Sequence, residues 1–82
     1  MIYNKPVAVI YNPTSGKKKN IRDTIVERLD MEQINAEFFE TERFMHAWEL
    51  AEKDIDLSKY SILIAVGGDG TLHEVINGML MR

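Results

Sequence analysis

Ile62-Leu63-Ile64-Ala65-Val66-Gly67-Gly68-Asp69-Gly70-Thr71 is the stretch that decides the fold. Its first five residues are apolar throughout, which suits a strand covered on both faces. Three glycines then fall within four residues. An amphipathic pattern follows at once, with Val75, Ile76, Met79 and Leu80 at offsets of 3, 4, 7 and 8 from Leu72. The spacing predicts a helix from about Thr71 to the end of the chain, with that stripe as its buried face. A strand, a glycine turn and a helix start together form a pocket for a phosphate. Glycines let the backbone approach an anion, and the free N–H groups of a first helical turn point at it.

Upstream, residues 5–11 read as a first strand, with Pro6 where a missing N–H matters least. Asn12-Pro13-Thr14-Ser15-Gly16 is dense in turn formers and reads as a loop. Ile21, Ile25 and Leu29 repeat every four residues and predict a helix over 19–31. Residues 36–39 form a short, half-exposed second strand. A second helix is expected to start at Thr41 or Glu42, with Phe44, Ala47 or Trp48, Ala51 and Ile55 as its apolar stripe. Residues 56–59 connect it to a third strand over 60–66.

The order β-α-β-α-β-α predicts an α/β unit with a parallel sheet and right-handed crossovers, most economically in strand order 2-1-3. In such sheets, ligands sit beyond the carboxyl ends of the strands, where neighbouring connections diverge. Both loops of unusual chemistry, 12–17 and 67–71, leave carboxyl ends that this order makes adjacent. They are expected to share one crevice. The third strand would lie at the sheet edge, although it is apolar at every position. Such an edge invites pairing, so the 82 residues are expected to be one incomplete domain, or to associate with a second copy.

Asp69 beside bound phosphates would be repelled unless a cation intervened, which points to Mg²⁺ held directly or through water. Its plainer reading is a carboxylate favoured by the positive helix end. Asn12, Thr14, Ser15 and Lys17 offer an amide, two hydroxyls and an ammonium for ribose, phosphate or a base edge. His73 reads as a bystander, and Glu74 and Asn77 as residues fastening the glycine turn from behind. Neither a dinucleotide-binding fingerprint nor a Walker A loop is present. The first would need glycine at His73; the second would need glycine at Tyr11 and Ser or Thr at Lys18. A net charge of −3 argues against nucleic-acid binding, and without cysteine there is neither a disulfide nor a cysteine-based zinc site. Hydrophobic content of 45% with 28% charge fits a globular chain. The run Val7-Ala8-Val9-Ile10 is too short for a signal peptide or a membrane span, so a cytoplasmic location is expected.

These residues together resemble the diacylglycerol kinase catalytic domain family, which includes sphingosine kinases and bacterial lipid kinases. Val9 to Gly16 looks like that family's opening Asn-Pro-x-Ser-Gly loop. Thr41-Glu42 followed by His46-Ala47 and Glu49-Leu50-Ala51 is similar to its second-helix pattern. Val66 to Thr71, then Glu74-Val75, Asn77 and Gly78, is similar to its nucleotide-binding signature. NAD kinases and phosphofructokinases share the Gly-Gly-Asp-Gly core, so an NAD-kinase-like fragment is an alternative. A non-catalytic module that self-associates through its sheet edge is another.

The resemblance implies ATP- and Mg²⁺-dependent phosphorylation of a lipid hydroxyl, of diacylglycerol or sphingoid type. It places Asn12, Ser15, Gly16, Gly67, Gly68, Gly70 and Thr71 around the nucleotide, with Asp69 near metal and phosphates. Lys17 is the nearest cation to add. Family members continue with a further nucleotide loop and a β-sandwich domain that holds the lipid. No catalytic base is therefore named in these residues, and activity is expected only with that region. A lipid acceptor would bring the full enzyme peripherally to a membrane.

Overall fold

The computed structural model describes residues 4–13 and 21–82. The first strand, β1 (Val7–Tyr11), sits at the centre of a three-stranded parallel sheet of order β2-β1-β3, as the spacing of elements predicts. β2 is Ala36–Glu40 and β3 is Leu63–Val66. In register, Val9 lies opposite Phe38 on one side and Ile64 on the other. Paired along both edges and covered on both faces, every residue of β1 is buried, none more than 4% exposed.

Side-chain alternation splits the sheet into two faces. Ala8, Ile10, Phe39, Leu63 and Ala65 meet a core built with Ala47, Leu50, Ala51, Ile55 and Val75. Those partners come from α2 (His46–Glu49), its continuation Leu50–Asp54 with Ile55 just past it, and α3 (Asp69–Leu80). The opposite face carries Val9, Tyr11 and Phe38, and α1 (Ile21–Met31) lies over it, with the Arg22 guanidinium 5.3 Å above the Phe38 ring. The Tyr11 ring meets Phe38 edge-on, and its hydroxyl donates to Glu40 Oε1 at 3.1 Å. Burial, and then this carboxylate, pushes the Tyr11 hydroxyl above its ordinary value. The result is three layers, α1 against the sheet against α2 and α3.

Strand limits differ slightly from the expected ones. The regular ladder of β3 starts at Leu63 rather than residue 60, because Leu57–Lys59 forms a 3-10 turn capped by the Asp56 carboxylate on Ser58 N–H. Hydrogen bonds already align the preceding residues: Ser61 N–H donates to Pro6 O and Ala8 N–H to Ile62 O, each at 2.9 Å. β1 starts at Val7 rather than Lys5. β3 lies at the sheet edge as expected and is half-buried at every position, less than its apolar run suggests, with no strand beside its outer edge among the described residues.

The second helix departs further from its expected start. Thr41 N–H still extends the sheet by donating to Tyr11 O at 2.9 Å, and Glu42 N–H is taken by His46 Nδ1 at 2.9 Å. Met45 is left-handed, at φ 70°, which a helix cannot include. The helix therefore starts at His46. Phe44, expected in its apolar stripe, is 84% exposed, while Ala47, Ala51 and Ile55 are buried as expected. From Leu50 the helix widens into one π-helical turn, closed by Ile55 N–H on Leu50 O at 3.1 Å. The Arg82 guanidinium caps its end, with Nη1 donating to the carbonyls of Ala51, Glu52 and Ile55 at 2.9–3.1 Å.

α3 shows the largest difference. Of the expected stripe only Val75 is buried, and Thr71 and Gly78 complete the buried face in place of the larger residues. Leu72 and Ile76 are each half exposed, and Leu80 is 76% exposed. Small residues turn towards α2 because the two helices nearly touch. A Cβ on Gly78 would lie 2.5 Å from Trp48 O and 3.0 Å from Ala51 Cβ. Alanine in place of Gly78 gains about 1 kcal/mol in helix propensity. A backbone carbonyl cannot rotate away from the added methyl, and overpacking of this kind costs about 1–3 kcal/mol. Gly78→Ala is therefore expected to lower stability by up to about 2 kcal/mol. A urea midpoint at or above the parent's would show that the helices can part freely.

Candidate functional site

The carboxyl ends of the strands are tied together by main-chain bonds. Asn12 N–H, just past β1, donates to Val66 O at 3.1 Å, so the exits of β1 and β3 lie side by side. From there the chain runs to α1 on one face of the sheet and to α3 on the other. Diverging connections of this kind leave a crevice in a parallel sheet. A cleft of about 410 Å³ occupies it. Asn12 forms one wall, Thr41 to Phe44 with Ala47 the second, and Gly70, Thr71 and Glu74 of α3 the third. The volume lies within the usual range for small-molecule sites.

α3 starts two residues earlier than the hydrophobic spacing implies. Gly68 is its extended N-cap, Asp69 its first residue, and Leu72 N–H closes the first turn on Gly68 O at 3.2 Å. Gly68 has no side chain with which to cap the helix, so the first-turn N–H groups of Asp69, Gly70 and Thr71 remain available to an anion. The glycines divide by role. A Cβ at Gly67 would strike Thr71 Oγ1 at 2.6 Å and Thr71 Cβ at 2.8 Å, so Gly67 is required by packing against that buried threonine. At Gly68 and Gly70 a Cβ would meet nothing within 4 Å. The space above these two is open, as a phosphate cradle needs.

The structure thus brings Asn12, Gly70 and Thr71 together in the cleft wall. Gly67, Gly68 and Asp69 are exposed beside it and are not among its lining residues. Ser15, Gly16 and Lys17 lie outside the described residues. Asn77 does not fasten the glycine turn: its Nδ2 donates to His73 O at 2.8 Å, within its own helix. Among the described residues no three His, Cys, Asp or Glu side chains gather to hold a metal. Mg²⁺ commonly takes one or two carboxylates and completes its shell with waters and phosphate oxygens. A single exposed carboxylate at Asp69 therefore fits a metal that arrives with a nucleotide, and does not fit a preformed cage.

Sequence reasoning missed the wall formed by residues 41–44. Its pattern was visible in Thr41-Glu42 and His46-Ala47, but it was read as helix. Here it is a turn pinned at two points. Arg43 donates to both carboxylate oxygens of Glu49, at 3.0 and 2.8 Å, and holds that carboxyl below its ordinary value; His46 caps Glu42.

The different roles of the glycines can be separated by stability alone. Gly67→Ala is expected to cost about 1–3 kcal/mol through the clash with Thr71. Gly70→Ala, in open space within a helix, is expected to be neutral or to stabilise by up to about 1 kcal/mol. Equal urea midpoints for the two variants would refute this division.

The chain matches the model of the diacylglycerol kinase catalytic domain over residues 6–82. It is 41% identical over 78 residues to a protein named diacylglycerol kinase from Staphylococcus epidermidis, covering 92% of this chain and 24% of that protein. Proteins of the same name from Staphylococcus saprophyticus and Staphylococcus aureus are each 40% identical over 78 residues. The match covers 92% of this chain in both cases, and 25% and 24% of those proteins respectively. The chain thus spans about a quarter of the length of the curated relatives it matches. With 77 of its 82 residues inside that domain, the chain belongs to the diacylglycerol kinase catalytic domain family.

Proposed function

We propose that this chain is the N-terminal, ATP-binding part of a lipid kinase, an enzyme that transfers the γ-phosphate of ATP to a lipid hydroxyl. One observation carries the reading: the open N-terminus of α3, with nothing above Gly68 and Gly70, borders a cleft at the point where β1 and β3 diverge. The first-turn N–H groups would hold the phosphates. Asn12 and Thr71 would line the nucleotide, and Asp69 would hold Mg²⁺ directly or through water. By the family resemblance Ser15 and Gly16 would contact the nucleotide, and Lys17 would offset its negative charge. Bound ATP supplies the phosphoryl group, and this chain's part is to position it and offset its charge.

A diacylglycerol or sphingoid acceptor is the expected substrate class, by family. The acceptor site and the base that deprotonates its hydroxyl are assigned to the rest of the enzyme, which would approach the membrane peripherally. Among the described residues no helix is long and apolar enough to cross a bilayer.

Asp69→Ala is expected to weaken Mg-ATP binding while leaving the fold intact, and Gly68→Val to weaken it by filling the cradle. Calorimetry with the two variants and the parent tests both. Parent-like affinity in each would remove the phosphate site from α3. Amide NMR shifts on adding Mg-ATP should fall on residues 12–17 and 67–74.

A second reading is favoured by the outer edge of β3, which has no strand beside it among the described residues, and by the exposed Leu72, Ile76 and Leu80 of α3. Two copies could pair β3 edges about a two-fold axis and cover these side chains together. A dimer indifferent to Mg-ATP would favour this reading over nucleotide binding.

A further inference from the structure

The cleft has a wall that phosphate chemistry does not use. Phe44 lines it with its ring 84% exposed, the most exposed large apolar side chain among the described residues. A lone surface phenylalanine ordinarily needs no explanation. This one stands in a held turn. On one side of it Arg43 is fixed by two bonds to Glu49, and on the other Met45 takes a left-handed conformation that an unbranched residue seldom adopts. Beyond it, Glu42 N–H is locked to His46 Nδ1. The strained backbone is held by its neighbours while the ring itself packs into no core.

Across the cleft stand Gly70 and Thr71 at the helix start, with Asn12 and Thr41 between as hydrogen-bonding groups. An anion-receiving helix start, two hydrogen-bonding groups and an aromatic face suit the phosphates, the polar sugar and the base of a nucleoside triphosphate. We infer that Phe44 is the stacking platform for the nucleobase, an inference that rests on the nucleotide-binding reading above. Stacking reads the flat face of a base rather than its edges, so it adds affinity for a purine ring while Asn12 and Thr41 remain to read hydrogen bonds.

Calorimetry on the 82-residue protein with Mg-ATP and with Mg-tripolyphosphate, which lacks a base, separates the two ideas. Phe44→Ala is expected to weaken ATP binding about tenfold and to leave tripolyphosphate unchanged. Phe44→Trp should restore ATP affinity. Since the ring is exposed, the thermal midpoint of Phe44→Ala should equal the parent's, which excludes unfolding as the cause. Undiminished ATP affinity in Phe44→Ala, or equal losses for both ligands, would overturn the stacking role while leaving the phosphate site in place. A parent protein that takes up neither ligand would overturn the nucleotide reading itself, and the platform with it.

Discussion

Everything in this molecule is arranged around a strand that has no free side. β1 is bonded along both edges and covered on both faces, so its five residues contribute nothing to the surface and everything to alignment. Because β2 and β3 both take their register from β1, their carboxyl ends finish level with its own. Asn12 bonded to Val66, and Thr41 bonded to Tyr11, continue that alignment one step past the strands. The cleft is the space left where aligned strands end and their connections part to opposite faces. Its position follows from topology; its chemistry follows from what the loops carry.

That chemistry relies on backbone more than on side chains. Within the described residues, Arg43 is the only cation lining the cleft, and it is engaged with Glu49. A polyanion there would be received chiefly by main-chain N–H groups at a helix start, a neutral way of offsetting charge. The open space over Gly68 and Gly70 matters for the same reason, since a main-chain donor is useful only where no side chain stands in the way. Gly67 serves a different end. It lets Thr71 pack beneath the turn, and so fixes the angle at which the helix leaves the sheet.

Strand order, layer arrangement and the side-by-side exits of β1 and β3 were all legible in the sequence. They depend on coarse signals: apolar runs, glycine placement, and the alternation of periods. What could not be read was which side of α3 faces inward. In α3 the large residues Leu72, Ile76 and Leu80 outweigh Thr71 and Gly78 in any hydrophobic count, yet the small ones turn towards α2. Close approach of two backbones is rewarded by smallness, and a scale of hydrophobicity does not record it. Phe44 was misplaced for a related reason. Its spacing suits a helix, but the start at His46 is set by the Glu42–His46 and Thr41–Tyr11 bonds and by a left-handed Met45, and none of these shows in periodicity. Ser15, Gly16 and Lys17 belong to the candidate site by sequence alone.

The central place of β1 has a bearing on how the chain comes together. Of the three strands β1 comes earliest in the chain, yet its pairing cannot be completed until β3, far downstream, has emerged. Parallel pairings between remote segments pay their loop-closure entropy before any contact rewards it, which slows folding. Val7 to Ile10 would meanwhile be an uncovered greasy segment on a nascent polypeptide, a natural target for holdase chaperones during synthesis.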